Sequence, residues 1–264
     1  MPYEEINNAK LYYEVEGTGE PLLLIHGVRG SIRNWQYVRS YIRPHFQNIF
    51  PELRGHGRSS ELKEVTRVDQ FAKDLIVLLK HLRIKKCVIA GHSLGGFIAQ
   101  QIALDAPKLV KALILIDTAP TVDVEAAQAQ IQLGQLVYGL EPEEAVQKVL
   151  ELGFYDPKKA QETPGMMDLL LFNQQEGRRL ALSHGYAQGA AASFNIQDQV
   201  RKIKHPTLVI IAAQDATFPV KWGDFYKEHL SNVSVQIINK SDHSIQFEQP
   251  EALAQAIIDF AKKV

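Results

Sequence analysis

Residues 89–97 have the sequence IAGHSLGGF, in which the pattern G-x-S-x-G is centred on Ser93. An apolar run, CVIA, comes before the pattern and a helix-like segment follows it, which predicts a sharp strand-to-helix turn. Small residues two positions to either side of the serine leave room for that turn, and the helix offers free amides at its N-terminus. The pattern predicts a nucleophilic Ser93, with the amide of Leu94 as one oxyanion donor. A glycine-rich turn used only for packing is the alternative interpretation.

A serine hydroxyl needs a base and an orienting acid before it can attack a carbonyl at neutral pH. Where a serine lies on this kind of turn, the acid comes after it along the chain, and the histidine comes after the acid. Asp215 ends the strand-like run PTLVIIAAQD, and His243 lies in NKSDHSIQFEQPE, after the last predicted strand. Both positions are at carboxyl ends of strands, where open α/β sheets bind ligands. We therefore expect a Ser93–Asp215–His243 triad, with the amide of Val28, after LLLIHG, as the second oxyanion donor.

Strand-like and helix-like segments alternate along most of the chain, which predicts a mostly parallel sheet with helices on both faces. Residues 10–15, KLYYEV, and the nearby turn EGTGEP predict an early hairpin strand. Residues 119–196 interrupt the alternation with helix-like segments alone. We expect residues 1–118 and 197–264 to form the core, and residues 119–196 to form a helical lid over one end of the sheet. Extra packing helices without a functional role are the alternative.

Five segments occur in the order typical of α/β-hydrolases with a lid, and the chain resembles that family. HGVRGSIRNW resembles the oxyanion loop, PELRGHGRS the D-x-R-G-x-G-x-S segment, GHSLGG the nucleophile elbow, AAQDATFP the acid loop and DHSIQFEQP the histidine loop. The resemblance covers the chain from about residue 10 to its end, apart from the predicted lid. It implies the α/β-hydrolase fold with an eight-stranded sheet, and it leaves the substrate open.

Three positions depart from the family pattern. Glu52 stands where the family usually has Asp, in a segment that mainly organises loops. Asp242 stands where glycine is common, and it would favour the imidazolium form of His243 if the two groups approach. Arg29 lies in the oxyanion loop, where many members have a small residue or proline. We expect Arg29 either to bind a substrate carboxylate through a bidentate contact or to face solvent.

Two further assignments concern the acid of the triad and the residues that bind substrate. Asp117, at the end of ALILID, is a rival acid because some family members carry the acid after that earlier strand; we predict that Asp215 has this role. Met167 and Phe172, in the apolar segment PGMMDLLLFNQQEGRR, are candidate substrate-binding residues. Ordinary helix packing explains these two side chains equally well.

The residues and the resemblance together predict a serine hydrolase that cleaves small to medium carboxylic esters through an acyl-enzyme. The predicted chemistry requires no metal and no organic cofactor. An enol-lactonase, a hydrolase of carbon–carbon bonds in vinylogous diketones and a cofactor-free perhydrolase are alternatives that use the same machinery. A small-molecule receptor with slow hydrolase activity is an alternative of another class. A serine rather than an aspartate at position 93 argues against haloalkane dehalogenases and epoxide hydrolases.

The composition excludes few functions. The formal net charge is −1, so no global field favours nucleic acid or an anionic membrane. Apolar runs such as LLLI and ALILI are too short for membrane insertion, and MPYEEINNAK lacks the features of a signal peptide. We therefore expect a cytoplasmic protein whose ligand is a small ester or lactone. The single cysteine, Cys87, is predicted to be buried. The sequence does not predict the oligomeric state.

Overall fold

The computed structural model describes residues 3–264, apart from the side chain of Val124. Eight strands form one sheet: β1 (Tyr3–Ile6), β2 (Ala9–Glu16), β3 (Glu20–Ile25), β4 (Phe46–Pro51), β5 (Cys87–His92), β6 (Val110–Ile116), β7 (Thr207–Ala212) and β8 (Val233–Ile238). Their order across the sheet is β1-β2-β4-β3-β5-β6-β7-β8. β2 is antiparallel to β1 and β4, and the other neighbouring pairs are parallel. The predicted mostly parallel, eight-stranded sheet is confirmed.

The helices are α1 (Gln36–Ile42), α2 (Val68–His81), α3 (Leu94–Asp105), α4 (Val124–Gly139), α5 (Pro142–Gly153), α6 (Pro157–Glu162), α7 (Met166–Arg179), α8 (Ala181–Ala192), α9 (Lys221–His229), α10 (Ile245–Glu248) and α11 (Pro250–Ala261). Helices α4 to α8 follow one another between β6 and β7. None of the described helices is long and apolar enough to cross a membrane.

Both faces of the sheet are buried, which explains why its central strands are continuous apolar runs. Along β3, Leu23 and Ile25 face the layer that contains α2 and α3, whereas Leu22 and Leu24 face the layer that contains α1 and α11. Cys87, in β5, is buried as predicted, and burial raises the pKa of its thiol to about 12.

The start of the sheet differs from the predicted hairpin. β2 forms its hairpin with β1, through a turn in which Asn7 and Asn8 have φ values of 48° and 63°. Positive φ at both central residues is the requirement of the tight hairpin turn, and asparagine tolerates it better than most residues. The EGTGEP turn leads instead from β2 to β3, which are separated in the sheet by β4. Consecutive strands are therefore not neighbours at this point.

Residues 119–196, called the helical segment below, leave and rejoin the sheet at adjacent points. Thr121 and Asn195 form an isolated antiparallel bridge, and the N–H of Ile196 donates to the carbonyl of Pro120 at 2.9 Å. Apolar side chains of α5, α6 and α7 form a separate cluster that also includes Phe247 of α10. The helical segment thus has its own apolar cluster, and Phe247 joins that cluster to the carboxyl-end side of the sheet.

Candidate active site

Ser93 lies in the turn between β5 and α3, with φ of 54° and ψ of −120°. This conformation is unfavourable for a residue with a Cβ, so the surrounding structure must hold it. The N–H of Ser93 donates to the carbonyl of Ile116 at 3.0 Å. Its carbonyl accepts from the N–H of Gly96 at 2.8 Å and from Thr118 Oγ1 at 2.9 Å. The backbone of Ser93 is therefore fixed on both sides.

The glycines of the G-x-S-x-G pattern are required by close backbone approach. A Cβ added to Gly91 would lie 2.1 Å from the carbonyl oxygen of Gly95. A Cβ added to Gly95 would lie 2.2 Å from the carbonyl oxygen of Ile25, at the end of β3. Both distances are far below van der Waals contact, so any side chain at these positions would displace the turn that carries Ser93.

The imidazole of His243, between β8 and α10, contacts the carboxylate of Asp215. His243 Nδ1 lies 2.7 Å from Asp215 Oδ2, and Asp215 Oδ1 accepts the N–H groups of Thr217 and Phe218 at 2.7 and 2.9 Å. Asp215 is buried. Because an ionised carboxylate only accepts hydrogen bonds, this contact places the ring proton on Nδ1 and leaves Nε2 free to accept one.

The charges of this pair shift both pKa values. Burial lowers the pKa of His243, but the charge and hydrogen bond of Asp215 outweigh burial and, with smaller contributions from Asp117 and Asp242, raise it to about 9. Burial opposes ionisation of Asp215, yet the charge of His243 and the hydrogen bonds that Asp215 accepts lower its pKa below the ordinary value. Asp215 and the imidazolium form of His243 therefore stabilise each other.

The rival acid, Asp117, has a different environment at the end of β6. Its Oδ1 accepts the N–H of Ala212 at 2.7 Å, and its buried Oδ2 has no partner among the described residues. Burial and then the charge of Asp215 raise the pKa of Asp117 well above its ordinary value. A carboxyl group whose neutral form is favoured in this way is a poorer electrostatic partner for an imidazolium than Asp215 is.

Two backbone amides have the properties of oxyanion donors. Leu94 is the first residue of α3, so its N–H has no acceptor within the helix. Val28 follows Gly27 in the loop after β3, and neither Val28 nor Leu94 donates a backbone hydrogen bond elsewhere in the described chain. Both residues line the same cavity as Ser93 and His243. The Ser93 hydroxyl also has no hydrogen bond within the described residues; in unliganded active sites such contacts are often long and tighten when substrate binds.

The cavity beside Ser93 has a volume of about 180 Å³. This is slightly more than the volume of about 150 Å³ that holds a benzene molecule in an engineered protein cavity. A second cavity of about 370 Å³, called the adjoining cavity below, shares lining residues with the first, among them Arg29, Gln130, Thr217 and His243. A small acyl or alkyl group fits the first cavity, and the adjoining cavity extends the space between the sheet and the helical segment.

Arg29 lies where the sequence placed it, in the loop that carries the Val28 amide. Arg29 lines both cavities, and its Nη2 donates to Gln130 Oε1 of α4 at 3.1 Å. Gln130 Nε2 in turn donates to Thr217 Oγ1 at 2.9 Å. A chain of hydrogen bonds thus links the loop after β3, the helical segment and the loop that holds Asp215.

Met167 and Phe172 do not line either cavity, and their contact with substrate stays a prediction. Met167 packs against the apolar cluster inside the helical segment, and the guanidinium of Arg33 lies over the Phe172 ring at 3.7 Å from its centroid. The face of α7 that borders the adjoining cavity carries Leu170, Asn173 and Gln174 instead.

Several cavity residues were missed by the sequence analysis. Thr217 and Phe218 follow Asp215 directly, and their position in the acid loop was a signal that could have indicated them. Gln130 and Phe247 line both cavities from α4 and α10. Their spacing in the sequence gave no sign of which helix face would be directed to the cavity.

One group of side chains has ligand atoms close enough for a metal ion. Ligand atoms of His92, Asp117 and His243 lie within 4.8 Å of one another. His92 Nε2 already donates to the carbonyl of His243 at 2.9 Å, and His243 Nδ1 contacts Asp215. Burial lowers the pKa of His92 to about 3, so His92 is neutral at pH 7. Hydrogen bonding accounts for these two ring nitrogens, and we assign the group no metal role.

Known proteins resemble the chain over most of its length. It is 29% identical over 239 residues to 3-oxoadipate enol-lactonase 2 from Acinetobacter baylyi, covering 89% of this chain and 86% of that protein. It is 30% identical to the dihydrolipoyllysine-residue acetyltransferase component of the acetoin cleaving system of Pseudomonas putida, where 96% of this chain matches 66% of the longer protein.

The fold also matches solved structures. A thermophilic esterase from Thermogutta terrifontis, solved with malate bound, superposes with a TM-score of 0.82 at 25% identity, covering 97% of this chain and 94% of that one. A family model described as alpha/beta hydrolase fold matches residues 20–250, which is most of the sequence. The chain therefore belongs to the alpha/beta hydrolase fold family.

Proposed function

We propose that the protein is a serine hydrolase that cleaves small to medium carboxylic esters through an acyl-enzyme on Ser93. The observation that supports this most strongly is the arrangement around one cavity: a serine on a strained turn, a histidine held by a buried carboxylate, and two free amides. The turn, the contact between the histidine and the carboxylate, and the two free amides each depend on a different set of residues. A turn used only for packing would explain the glycines but not the contact between His243 and Asp215.

In the proposed first step, Ser93 Oγ attacks the ester carbonyl carbon while His243 Nε2 accepts the hydroxyl proton. Asp215 keeps the Nδ1 proton in place and stabilises the imidazolium that forms. The carbonyl oxygen becomes an oxyanion, and the N–H groups of Val28 and Leu94 donate to it. His243 then gives its proton to the alkoxide oxygen as the carbon–oxygen bond breaks, and the alcohol leaves.

In the second step, a water molecule replaces the alcohol. His243 Nε2 accepts a proton from this water as its oxygen attacks the acyl carbon, and the same two amides hold the oxyanion. Collapse of the intermediate breaks the bond to Ser93 Oγ, which takes back a proton from His243. The acid is released, and Ser93 and His243 return to their starting states.

We also propose that the helical segment is the lid and that residues 1–118 and 197–264 are the core. Supporting this division, Gln130 and Gln188 of the helical segment line the cavity opposite the strand ends. The bridge between Thr121 and Asn195 is consistent with an insertion whose two ends lie side by side. Removal of water by such a cover would strengthen the electrostatic interactions inside the site.

The first experiment is a set of initial rates on p-nitrophenyl esters of increasing acyl length, for the wild type and Ser93→Ala. We expect turnover of short acyl chains and a loss of roughly 10⁴-fold or more in the variant, because members of a triad act as a unit. Ser40→Ala, an exposed serine of α1, is the matched control and should retain full activity. Near-wild-type activity of Ser93→Ala would show that the nucleophile is assigned wrongly.

Lactone hydrolysis is a second candidate, supported by the similarity to 3-oxoadipate enol-lactonase 2. A lactone is a cyclic ester, so the same steps apply, with the alcohol and the acid released as one molecule. Faster turnover of unsaturated lactones than of acyclic esters of the same size would favour this candidate. Single-turnover behaviour on every substrate would instead favour a receptor with slow hydrolase activity.

A further inference from the structure

Among the described side chains that line the cavity beside Ser93, Arg29 is the only one with a permanent charge. The other described lining residues are uncharged at neutral pH, apart from the titrating His243. Arg29 forms no ion pair with an acidic residue of the described chain. A guanidinium in a partly buried cavity is ordinarily paired with a carboxylate or phosphate, because an unpaired charge is costly to desolvate.

The donors of Arg29 are mostly unused. A guanidinium has five N–H donors, and the described protein partner is a single neutral oxygen, Oε1 of Gln130 at 3.1 Å. Opposite Nη1, α4 has a glycine: a Cβ added to Gly134 would lie 3.1 Å from that nitrogen. The absence of a side chain at Gly134 therefore lets α4 pack closely on Nη1, and the amide of Gln130 is the described partner of Nη2.

One acidic residue that borders the adjoining cavity is engaged elsewhere. Asp242 lines the adjoining cavity together with Arg29, but its Oδ1 accepts the backbone N–H of His243 at 2.7 Å.

The backbone conformation of Arg29 also points to a role for this side chain. Its φ of 60° lies in the left-handed region, where glycine would be more favourable, yet the position carries a long cationic residue.

We infer that the substrate is an anion, an ester or lactone whose carboxylate pairs with Arg29 while its carbonyl lies at Ser93; this rests on the proposed function. Val28, whose amide is the proposed oxyanion donor, precedes Arg29 in the same loop, so one loop binds both ends of the substrate. The carboxylate takes two parallel hydrogen bonds from the guanidinium in a bidentate contact. A short carbon chain separates the carboxylate from the scissile carbonyl.

The test compares each monomethyl ester of succinate, glutarate and adipate with its neutral dimethyl ester. The measured quantity is the ratio of kcat/KM for the monoanion to kcat/KM for the diester. We expect a ratio above one in the wild type and a fall of roughly 10- to 100-fold in Arg29→Met, the range for loss of a charge-assisted hydrogen bond. Arg29→Lys, which keeps the charge without the planar fork, should give an intermediate ratio.

The matched control is Arg33→Met, the same substitution four residues along the chain. Arg33 is exposed, lies over the Phe172 ring and is outside both cavity linings. It should leave the ratio unchanged. An equal ratio in the wild type and Arg29→Met, or an equal fall in both variants, would overturn the inference.

A binding measurement separates this inference from the proposed function. If the wild type hydrolyses none of the esters, the proposed function fails, and titration of glutarate by calorimetry then tests Arg29 alone. Binding that weakens at least about tenfold in Arg29→Met, and not in Arg33→Met, supports anion recognition at this position. Equal glutarate affinity in all three proteins, or no binding by the wild type, overturns it.

Discussion

Replacing Asp215 by asparagine tests the most specific feature of the proposed site, the charged contact with His243. The side chain keeps its shape, so the hydrogen bonds that Oδ1 accepts from Thr217 and Phe218 can persist. At the 2.7 Å contact with His243 Nδ1, however, the substitution removes the negative charge. An amide nitrogen in that place donates to Nδ1, which moves the ring proton to Nε2, where the base must accept a proton.

The size of the effect follows from the pKa of His243. The pKa rises from 6.5 to about 9, against the lowering effect of burial, and Asp215 is the strongest influence that raises it. At about 1.4 kcal/mol per pKa unit, this difference corresponds to about 3 kcal/mol of stabilisation of the imidazolium. Above the pKa of His243, where the base is neutral in both proteins, loss of that stabilisation would slow proton acceptance by up to roughly 100-fold. With the misplaced ring proton added, we expect a loss of roughly 10⁴-fold in kcat/KM.

The assay is the pH dependence of kcat/KM on a p-nitrophenyl ester. The base acts only when it is neutral, so wild-type activity should rise with pH as His243 loses its proton around its pKa of about 9. Asp215→Asn lowers that pKa, so its much weaker activity should reach a plateau at lower pH. Asp117→Asn is the comparison, and its effect should be far milder, because Asp117 accepts no hydrogen bond from His243 and contributes less than Asp215 to its raised pKa. If Asp117→Asn were the severe variant and Asp215→Asn the mild one, the acid would belong on β6.

Three other substitutions are each expected to act through one cause. Asp242→Asn should move the pH profile of kcat/KM to lower pH, by less than Asp215→Asn does, because the charge of Asp242 makes a smaller contribution to the raised pKa of His243; an unchanged profile would contradict this. Gly95→Ala should destabilise the fold by about 3 kcal/mol or more in urea unfolding, since its Cβ would lie 2.2 Å from a backbone oxygen. Gly185→Ala, in α8 with no atom within 4 Å of the added Cβ, should raise the free energy of unfolding by about 0.5–1 kcal/mol.

The strand ends and the turn at Ser93 were predictable because each depends on local chemistry. The glycines at 91 and 95 are required by backbone contacts within a few ångströms, so the pattern itself carries the geometry. The predicted fold class is confirmed for the same reason: buried parallel strands leave apolar runs that the sequence displays directly. Asp215 follows the buried strand β7 and His243 follows the edge strand β8, so both lie at the carboxyl end of the sheet.

What the sequence could not indicate depends on contacts between distant segments. The pairing of β2 with β4 rather than β3 is set by where β4 enters the sheet, 30 or more residues away along the chain. The orientation of α7 is set by packing inside the helical segment, where Met166 and Leu170 are buried and Met167 is only half-buried. Apolar residues lie on more than one side of this helix. The helical periodicity of the sequence therefore did not indicate which side would face the cavity.

Three of the seven described non-glycine residues with positive φ follow neighbouring strands at the proposed site, and this links the fold to the proposed chemistry. Arg29, Ser93 and Asp117 have φ values of 60°, 54° and 43°, and they follow β3, β5 and β6, which are neighbours in the sheet. Each such conformation costs about 1–3 kcal/mol and persists only where the surroundings fix it. The sheet supplies that support: the N–H of Ser93 donates to β6 at 3.0 Å, and the N–H of Asp117 donates to β7 at 2.9 Å. The parallel strands thus hold the unfavourable turns at Ser93 and Asp117, and the position of the proposed nucleophile depends on that rigidity.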